Sequence, residues 1–321
     1  MLAEAFELGR PIEPLAPYCF GSHENWTLGT MAGRFLVTRL WTGPDAPWRP
    51  ELERAMEFER RACQAGIDMP RPIAPRTAAF GDAARVHGFG VFRIHEWVDH
   101  RPLGVDDDIA AWLGSTLARL HRLVPLDAPP QPRWYGLFPA QRWNAWLAEG
   151  EARGMAWAPS LRDRLPDILE VSHWIADAFA KAGRYVVTHR DVQPANVLMS
   201  ASGPVLVDWD SAGPDSAPLE TVESVLAFAS LGRSEPDAAT VRRALAAYAT
   251  GGHPIGAGRD LVARRVGLHL HRLTERLEGT LGGVDQRTAE PAQVEVLARQ
   301  DLEEFPGLLA TLTRWSDLLG A

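Results

Sequence analysis

The first hundred residues contain short apolar runs separated by turn signals, a pattern typical of β-strands. Residues 51–65 are the exception, since their apolar side chains recur at helical spacing up to Gly66, which predicts one helix. The apolar runs themselves predict two hairpins, one formed by residues 25–30 and 34–41 and the other by residues 85–86 and 90–98. This part of the chain is therefore predicted to form a small sheet with a helix.

Beyond residue 105 the hydrophobic pattern changes to helical spacing. Two short apolar runs, at 185–188 and 205–208, interrupt this part and have a polar loop between them. Helices are predicted at 106–123, 143–150, 161–182 and from 219 to the end of the chain, with breaks at Gly251-Gly252, Gly282-Gly283 and Pro306. We predict an α+β protein with two parts, residues 1–98 and residues 99–321.

Composition excludes several classes of protein. The 321 residues are 46% hydrophobic and 23% charged, which fits a globular protein of one large or two closely associated domains. The formal net charge of −8 argues against a nucleic-acid partner, because phosphate binding needs clustered cations. Of the 33 basic residues only Lys181 is a lysine, so few steps that need an ammonium group are available.

The sequence also predicts a cytoplasmic location and no membrane partner. No apolar run approaches the length of about 18 residues that a membrane span needs, and the acidic segment 1–10 does not resemble a signal peptide. Cys19 and Cys63 are far apart and lack the spacing of a zinc site. We expect both to be reduced and buried.

The clearest chemical pattern lies between residues 187 and 210. Asp191 follows His189 by two positions, Asn196 follows Asp191 by five, and Asp208 ends an apolar run 17 residues after Asp191. Phosphoryl transfer from a nucleotide needs such a set, because one carboxylate deprotonates the acceptor hydroxyl while an Asn and a second carboxylate hold magnesium. The alternative is that His189 and Asp191 form an ordinary loop hydrogen bond and Asn196 is a turn residue.

The stretches His189 to Asn196 and Val207-Asp208-Trp209-Asp210 resemble the aminoglycoside phosphotransferase family. This is the small-molecule branch of the protein-kinase fold, which also includes choline-kinase-like enzymes. The resemblance covers about residues 20 to 225. It implies a bilobal protein-kinase-like fold, with a nucleotide-binding lobe at 1–98 and a larger, mainly helical catalytic and acceptor-binding lobe at 99–321.

The resemblance also implies roles for single residues in catalysis. Asp191 would be the catalytic base, and Asn196 and Asp208 would be ligands of Mg²⁺. His189 would brace the loop. Asp210 lies on the same side of an extended chain as Asp208, so it would contact the metal or the acceptor.

A second set of residues would bind ATP or GTP. Glu96, Trp97 and Val98 would form the hinge, where backbone groups hydrogen-bond the purine ring. Gly21 and Ser22 would form the short turn that covers the phosphates, because the absence of large side chains lets backbone N–H groups approach phosphate oxygens.

The sequence departs from the family at the lysine of the third strand, which in the family pairs with a glutamate of the following helix. Thr38 stands at the lysine position. Arg39 is next and would reach the nucleotide only if a bulge turned it inward. Glu57 is the best partner on the helix, with Glu53 one turn earlier and Glu59 off the same face. A solvated charged surface is the alternative for these residues.

The acceptor is predicted from charge. Residues 99–321 carry a net charge of −7, and Glu220 and Glu223 lie one helical turn apart shortly after Asp210. Carboxylates in a cleft would attract a cationic acceptor. We therefore predict a kinase that phosphorylates a hydroxyl of a cationic antibiotic and confers resistance. The alternatives are a metabolic kinase for a sugar, nucleoside or amino alcohol, and an inactive nucleotide-binding pseudokinase.

Overall fold

The helices and strands are taken from a computed structural model, which describes residues 1–20, 23–40, 48–282 and 291–320. The strands are β1 (Ala16–Phe20), β2 (Glu24–Thr30), β3 (Gly33–Leu40), β4 (Ala84–Val86), β5 (Gly90–Glu96), β6 (His100–Pro102), β7 (Tyr185–Thr188), β8 (Val197–Ser200), β9 (Gly203–Leu206) and β10 (Gly213–Ser216). The helices are α1 (Leu2–Ala5), α2 (Arg49–Gln64), α3 (Ala110–Leu120), α4 (Ala140–Arg153), α5 (Ala158–Ala182), α6 (Ala217–Ala229), α7 (Ala238–Thr250), α8 (Ala263–Thr280) and α9 (Pro291–Leu319).

The chain forms two compact units and passes between them three times, after Pro125, within β7 and within β10. The first unit comprises Met1–Pro125 and Val186–Pro214, and the second comprises Leu126–Tyr185 and Asp215–Ala321. The predicted boundary after residue 98 lies inside the first unit. The reason is that β6 pairs with β8 and β8 with β9, and the N–H of Leu206 at the end of β9 donates to the carbonyl of Asp68 at 2.8 Å. The catalytic segment therefore belongs to the same unit as the N-terminal sheet.

The first unit is built on an antiparallel sheet with the strand order β1-β2-β3-β5-β4. Because side chains alternate along a strand, β3 presents Phe35 and Val37 to one face, where they join a core cluster that includes Phe6. On the other face, Leu40 packs in a cluster with Met56 of α2. The remainder of that second face is the wall of a cavity described below.

The second unit is mostly helical, and charged groups lie inside it. Asp215 accepts hydrogen bonds from the hydroxyl of Tyr135 at 2.7 Å, from Nε of Arg264 at 3.0 Å and from the backbone N–H of Ser216 at 2.7 Å. Asp215 and Arg264 are both buried. Each polar group in this set therefore has a partner, as buried polar groups require.

The α+β class and most of the predicted elements are confirmed. The break predicted at Pro306 is wrong, because α9 continues through this residue. Phe305 and Leu312 are buried on either side of it, so side-chain packing outweighs the backbone hydrogen bond that proline removes. The prediction of two buried cysteines is also wrong. Both are free thiols, but Cys19 is exposed on the edge strand β1 and Cys63 is partly exposed.

Among the described residues, no helix combines the length and apolar composition that crossing a lipid bilayer requires.

Candidate active site

The loop after β7 is organised around the buried imidazole of His189. Nδ1 of His189 accepts a hydrogen bond from the backbone N–H of Asp191 at 3.3 Å. The proton of the neutral ring therefore resides on Nε2, which donates to the carbonyl of Val207 at 3.1 Å. His189 thus links the segment that carries Asp191 to the segment that carries Asp208, as its predicted bracing role requires.

Asp191 is held in one orientation by two side-chain amides. Asn196 donates from Nδ2 to Oδ2 of Asp191 at 2.7 Å and to its backbone carbonyl at 2.9 Å. Nε2 of Gln193 lies 2.9 and 3.1 Å from the two carboxylate oxygens. These bonds leave Asp191 partly exposed. A fixed, accessible carboxylate is the geometry that a general base needs.

Asp208 lies two residues after the end of β9 and has an unusual backbone conformation. Its backbone has φ 67° and ψ 64°, in the left-handed region, and it caps the short turn Trp209–Ser211. Burial, followed by the nearby carboxylates of Asp210 and Asp191, raises the pKa of Asp208 to about 6. Left-handed backbone conformations at residues other than glycine, such as that of Asp208, are sparsely populated and concentrate at functional sites.

The oxygen donors around Asp208 fit a magnesium ion bound together with a nucleotide. Within the described ranges, no group of three or more His, Cys, Asp or Glu side chains is arranged to hold a metal by itself. Mg²⁺, however, usually binds through one or two carboxylates, with substrate phosphates and water completing the shell. Asp208 and Asn196 both line one cavity, and a carboxylate and a side-chain amide are residue types that supply such hard oxygen donors.

This cavity has a volume of about 410 Å³ and lies within the first unit. Its wall includes the predicted hinge residues Glu96, Trp97 and Val98 as well as Asn196 and Asp208. The volume falls in the range of small-molecule sites. The structure therefore brings the predicted purine-binding and metal-binding residues together in one space.

Backbone hydrogen bonds distinguish the three hinge residues. The N–H of Glu96 donates to the carbonyl of Arg71 at 2.9 Å, and the N–H of Trp97 donates to the carbonyl of Arg34 at 3.0 Å. Val98 is bonded at its carbonyl oxygen, which lies 2.7 Å from Nδ1 of His100. Two of the three N–H groups are therefore already occupied by neighbouring backbone.

The predicted pairing of Arg39 with Glu57 is wrong. Nη1 of Arg39 bonds to Glu24 at 3.2 Å, and Glu57 bonds to Arg61 at 2.6 Å. The strand register runs through Thr38 and Arg39 without a shift, so the bulge that would turn Arg39 inward is not formed. Gly21 and Ser22 lie outside the described residues.

A different arginine and a different glutamate form the buried pair. Nη2 of Arg93 on β5 donates to Glu59 of α2, and the exposed fractions of these side chains are only 5% and 1%. Nε2 of His95 lies 2.9 Å from the other carboxylate oxygen of Glu59. Burial alone would raise the pKa of Glu59, but the charges of Arg93 and His95 outweigh burial and lower this pKa.

Two sequence signals could have revealed this pair. Glu59 follows Leu52 by seven residues and Met56 by three, so it falls on the apolar stripe of α2. Arg93 interrupts the otherwise apolar segment Val91 to Ile94. A charged residue at either kind of position is buried only when it is paired.

Asp210 belongs to the same charge cluster. Its Oδ1 accepts from Nη1 of Arg93, and its Oδ2 lies 3.3 Å from Nε2 of His23. Burial would raise the pKa of Asp210, but Arg93 and then His23 lower it instead. Both carboxylate oxygens are engaged on the wall of the cavity, so the structure places Asp210 beside Arg93 and His23 and not on a free acceptor surface.

The two glutamates predicted to contact a cationic acceptor are placed differently from the expectation. Glu220 is 0% exposed inside the second unit, where a soluble acceptor cannot reach it, and this prediction is wrong. Oε1 of Glu223 is 3.2 Å from Nη1 of Arg265. Glu223 lines a separate cavity of about 290 Å³ together with two arginines, Arg265 and Arg272. Its carboxylate is therefore partly neutralised.

Comparison with known proteins assigns the chain to a class. The profile of the phosphotransferase enzyme family matches residues 21–258. No curated protein sequence gives a match.

The fold is shared with solved structures of other kinases. An aminoglycoside phosphotransferase from Alicyclobacillus acidocaldarius is 16% identical, with 98% of this chain and 96% of that chain covered and a TM-score of 0.53. A spectinomycin phosphotransferase, solved with ADP and spectinomycin, is 12% identical (92% and 91% covered, TM-score 0.60). The ethanolamine kinase of Plasmodium vivax is 14% identical (90% and 81% covered, TM-score 0.59).

The chain therefore belongs to the phosphotransferase enzyme family and has the protein-kinase-like fold. It is a small-molecule phosphotransferase whose acceptor group is a hydroxyl.

Proposed function

We propose that the protein transfers the γ-phosphate of a nucleoside triphosphate, ATP or GTP, to a hydroxyl of a small molecule with the help of Mg²⁺. The observation that carries this proposal is the single cavity that joins the hinge residues to Asn196 and Asp208, with Asp191 bonded to Asn196 at 2.7 Å.

The nucleotide would lie along this cavity. The N–H of Val98 is the hinge donor that we assign to the purine, because those of Glu96 and Trp97 are bonded to neighbouring backbone. Leu36 and Leu198 line the same cavity and would contact the faces of the ring. At the other end of the cavity, Asn196 and Asp208 would hold Mg²⁺. The ion would neutralise negative charge on the phosphate oxygens during transfer of the γ-phosphate.

Asp191 would act on the acceptor. Its carboxylate accepts the proton of the acceptor hydroxyl while the hydroxyl oxygen forms a bond to the γ-phosphorus and the bond to the β-phosphate oxygen breaks. The products are the phosphorylated acceptor and the nucleoside diphosphate. Asn196 and Gln193 hold the carboxylate in place, so that orientation is established before the acceptor arrives.

The acceptor that we propose is an antibiotic, modified so as to confer resistance. Support comes from the similarity to structures of an aminoglycoside phosphotransferase and a spectinomycin phosphotransferase. The two glutamates predicted to attract a cationic acceptor give no support, since Glu220 is buried and Glu223 is paired. The second candidate is an amino alcohol, favoured by the similarity to an ethanolamine kinase.

The test is a coupled assay of ADP and GDP release over aminoglycosides, spectinomycin, amino alcohols, sugars and nucleosides. The variant Asp191→Asn serves as the matched control, because it removes the base and keeps the shape of the side chain. We expect one class of acceptor to stimulate release in the native protein only. If no acceptor raises release above the Asp191→Asn level and neither nucleotide binds, the proposal is wrong.

A further inference from the structure

Three polar side chains stand in a row across the cavity face of the sheet. Asn25 on β2 is in register with Thr38 on β3, and Thr38 is in register with Arg93 on β5. The hydroxyl of Thr38 donates to Oδ1 of Asn25 at 2.7 Å. All three residues line the cavity that contains Asp208. Side chains directly opposite each other on paired strands have their Cβ atoms about 5 Å apart, so the short Thr38 leaves space that Arg93 can reach into.

A carboxylate on helix α2 holds the guanidinium of Arg93 in place. Nη2 of its guanidinium donates to the buried carboxylate of Glu59, which His95 also contacts at 2.9 Å. Two buried groups of opposite charge in direct contact hold each other in one geometry, because separation would leave either charge unpaired in a poorly solvated place. Glu59 thereby orients the guanidinium.

The remaining donors of the Arg93 guanidinium are only partly bonded. Nη1 donates to Asp210, which His23 also contacts. Nε of Arg93 is buried and has no hydrogen-bond partner among the described residues. Buried donors are nearly always bonded, and those of a charged group especially so. An anionic oxygen in the cavity would complete the guanidinium.

We propose that Arg93 is the phosphate-binding cation of this enzyme, that it acts from β5 in place of a lysine on β3, and that Glu59 is its positioning residue. The inference rests on the proposed function, since the anion is the phosphate chain of the nucleoside triphosphate. Arginine suits this place because its planar fork can present one edge to Glu59 and another to a phosphate oxygen, whereas an ammonium is a single point of charge.

The test measures binding and not turnover. Titration calorimetry compares a non-hydrolysable ATP analogue with Mg²⁺ against adenosine, which has no phosphates. In the double variant Arg93→Met with Glu59→Gln, both buried charges are removed together, so that neither remains unpaired. We expect the affinity for the analogue to fall about 10- to 100-fold and the affinity for adenosine to stay the same. A purely structural role would lower both.

Arg39→Met is the matched control. Arg39 stands on the same sheet, next to Thr38 in the chain, but bonds to Glu24 and does not line the cavity. Its replacement is expected to leave both affinities unchanged. Adding Thr38→Lys to Arg93→Met, with Glu59 retained, should restore part of the analogue affinity, because it returns a cation beside Glu59 from the neighbouring strand.

Two outcomes are decisive against the inference. If the native protein binds the analogue and the double variant binds it equally well, Arg93 does not contact phosphate and the proposed function stands without it. If the native protein does not bind the analogue, the proposed function fails and the inference fails with it. Should the double variant not fold, Arg93→Lys provides the same comparison, with an expected loss of about tenfold for the analogue only; unchanged affinity there also overturns the inference.

Discussion

The two units each contain a buried arginine paired with a carboxylate, but the surroundings of the two pairs differ. In the second unit, Asp215 receives bonds from Arg264, from the hydroxyl of Tyr135 and from the N–H of Ser216. In the first unit, Arg93 bonds to Glu59 and Asp210 and lines a cavity, and its Nε has no partner in the part of the chain that the structure describes. The bonds of Asp215 are made within the protein, whereas Arg93 lines a cavity and has one buried donor without a partner among the described residues.

This difference shows how a buried charge can be assigned a role. Taking an ion pair out of water is unfavourable, and its attraction compensates only when the remaining donors and acceptors are satisfied. The pair of Asp215 and Arg264 meets that condition and is expected to affect stability. The pair of Glu59 and Arg93 does not meet it without a ligand, and is expected to affect binding.

The largest effect is expected at the catalytic loop of the first unit. Asp191→Asn should reduce turnover by about 10²- to 10⁴-fold, because the amide cannot accept the proton of the acceptor hydroxyl. Nucleotide affinity and thermal stability should not change, since Asp191 is partly exposed. Steady-state kinetics with the best acceptor gives the measurement. Asp177→Asn, the same change on the exposed face of α5, is the control; near-normal turnover by Asp191→Asn would remove Asp191 from the mechanism.

In the second unit, substitution of the buried arginine is expected to lower the stability of the protein. Arg264→Ala leaves Asp215 as an uncompensated buried charge, and we expect the free energy of unfolding to fall by about 3–5 kcal/mol. Urea denaturation followed by circular dichroism measures this loss. Replacing both partners, Arg264→Met with Asp215→Asn, should cost less than the single change. A loss below about 1 kcal/mol for Arg264→Ala would contradict the comparison between the two units.

Asp208→Ala should change how nucleotide affinity depends on magnesium. With Mg²⁺ present, affinity is expected to fall at least about tenfold, because a ligand that links the metal to the phosphates is lost. With EDTA present, affinity should not fall, because the substitution removes a carboxylate that repels phosphate. Calorimetric titrations of both proteins under both conditions decide the matter. An unchanged ratio between the two conditions would show that Asp208 is not the ligand.

The smallest effect is expected from Tyr135, which makes one of the hydrogen bonds to Asp215 in the second unit. Tyr135→Phe removes one hydrogen bond to Asp215, while those from Arg264 and Ser216 remain. We expect stability to fall by about 1–2 kcal/mol, with kcat and nucleotide affinity unchanged. Thermal unfolding measures the loss of stability, and steady-state assays and nucleotide titrations on the same preparations measure kcat and nucleotide affinity. A specific loss of activity would give Tyr135 a functional role that the structure does not assign to it.

The catalytic segment was predictable from sequence because its geometry is local. His189, Asp191 and Asn196 lie within eight residues, and the bonds between them span only two and five positions. Asp208 follows a short strand and is brought back by the pairing of β8 with β9, by the bond from the N–H of Val207 to the carbonyl of Asn196 at 3.0 Å, and by the bond from His189 to the carbonyl of Val207. The order of residues along the chain therefore determines most of this arrangement.

The choice of cation was decided by tertiary structure. The chain has 32 arginines, and sequence proximity to Thr38 favoured Arg39. The register of β3 with β5 instead places Arg93 beside Thr38, 55 positions away in the chain. Likewise, the packing of α2 buries Glu59 and leaves Glu57 exposed. Which charge is buried depends on strand pairing and helix orientation, which are set by the summed burial of many apolar side chains and not by any local pattern.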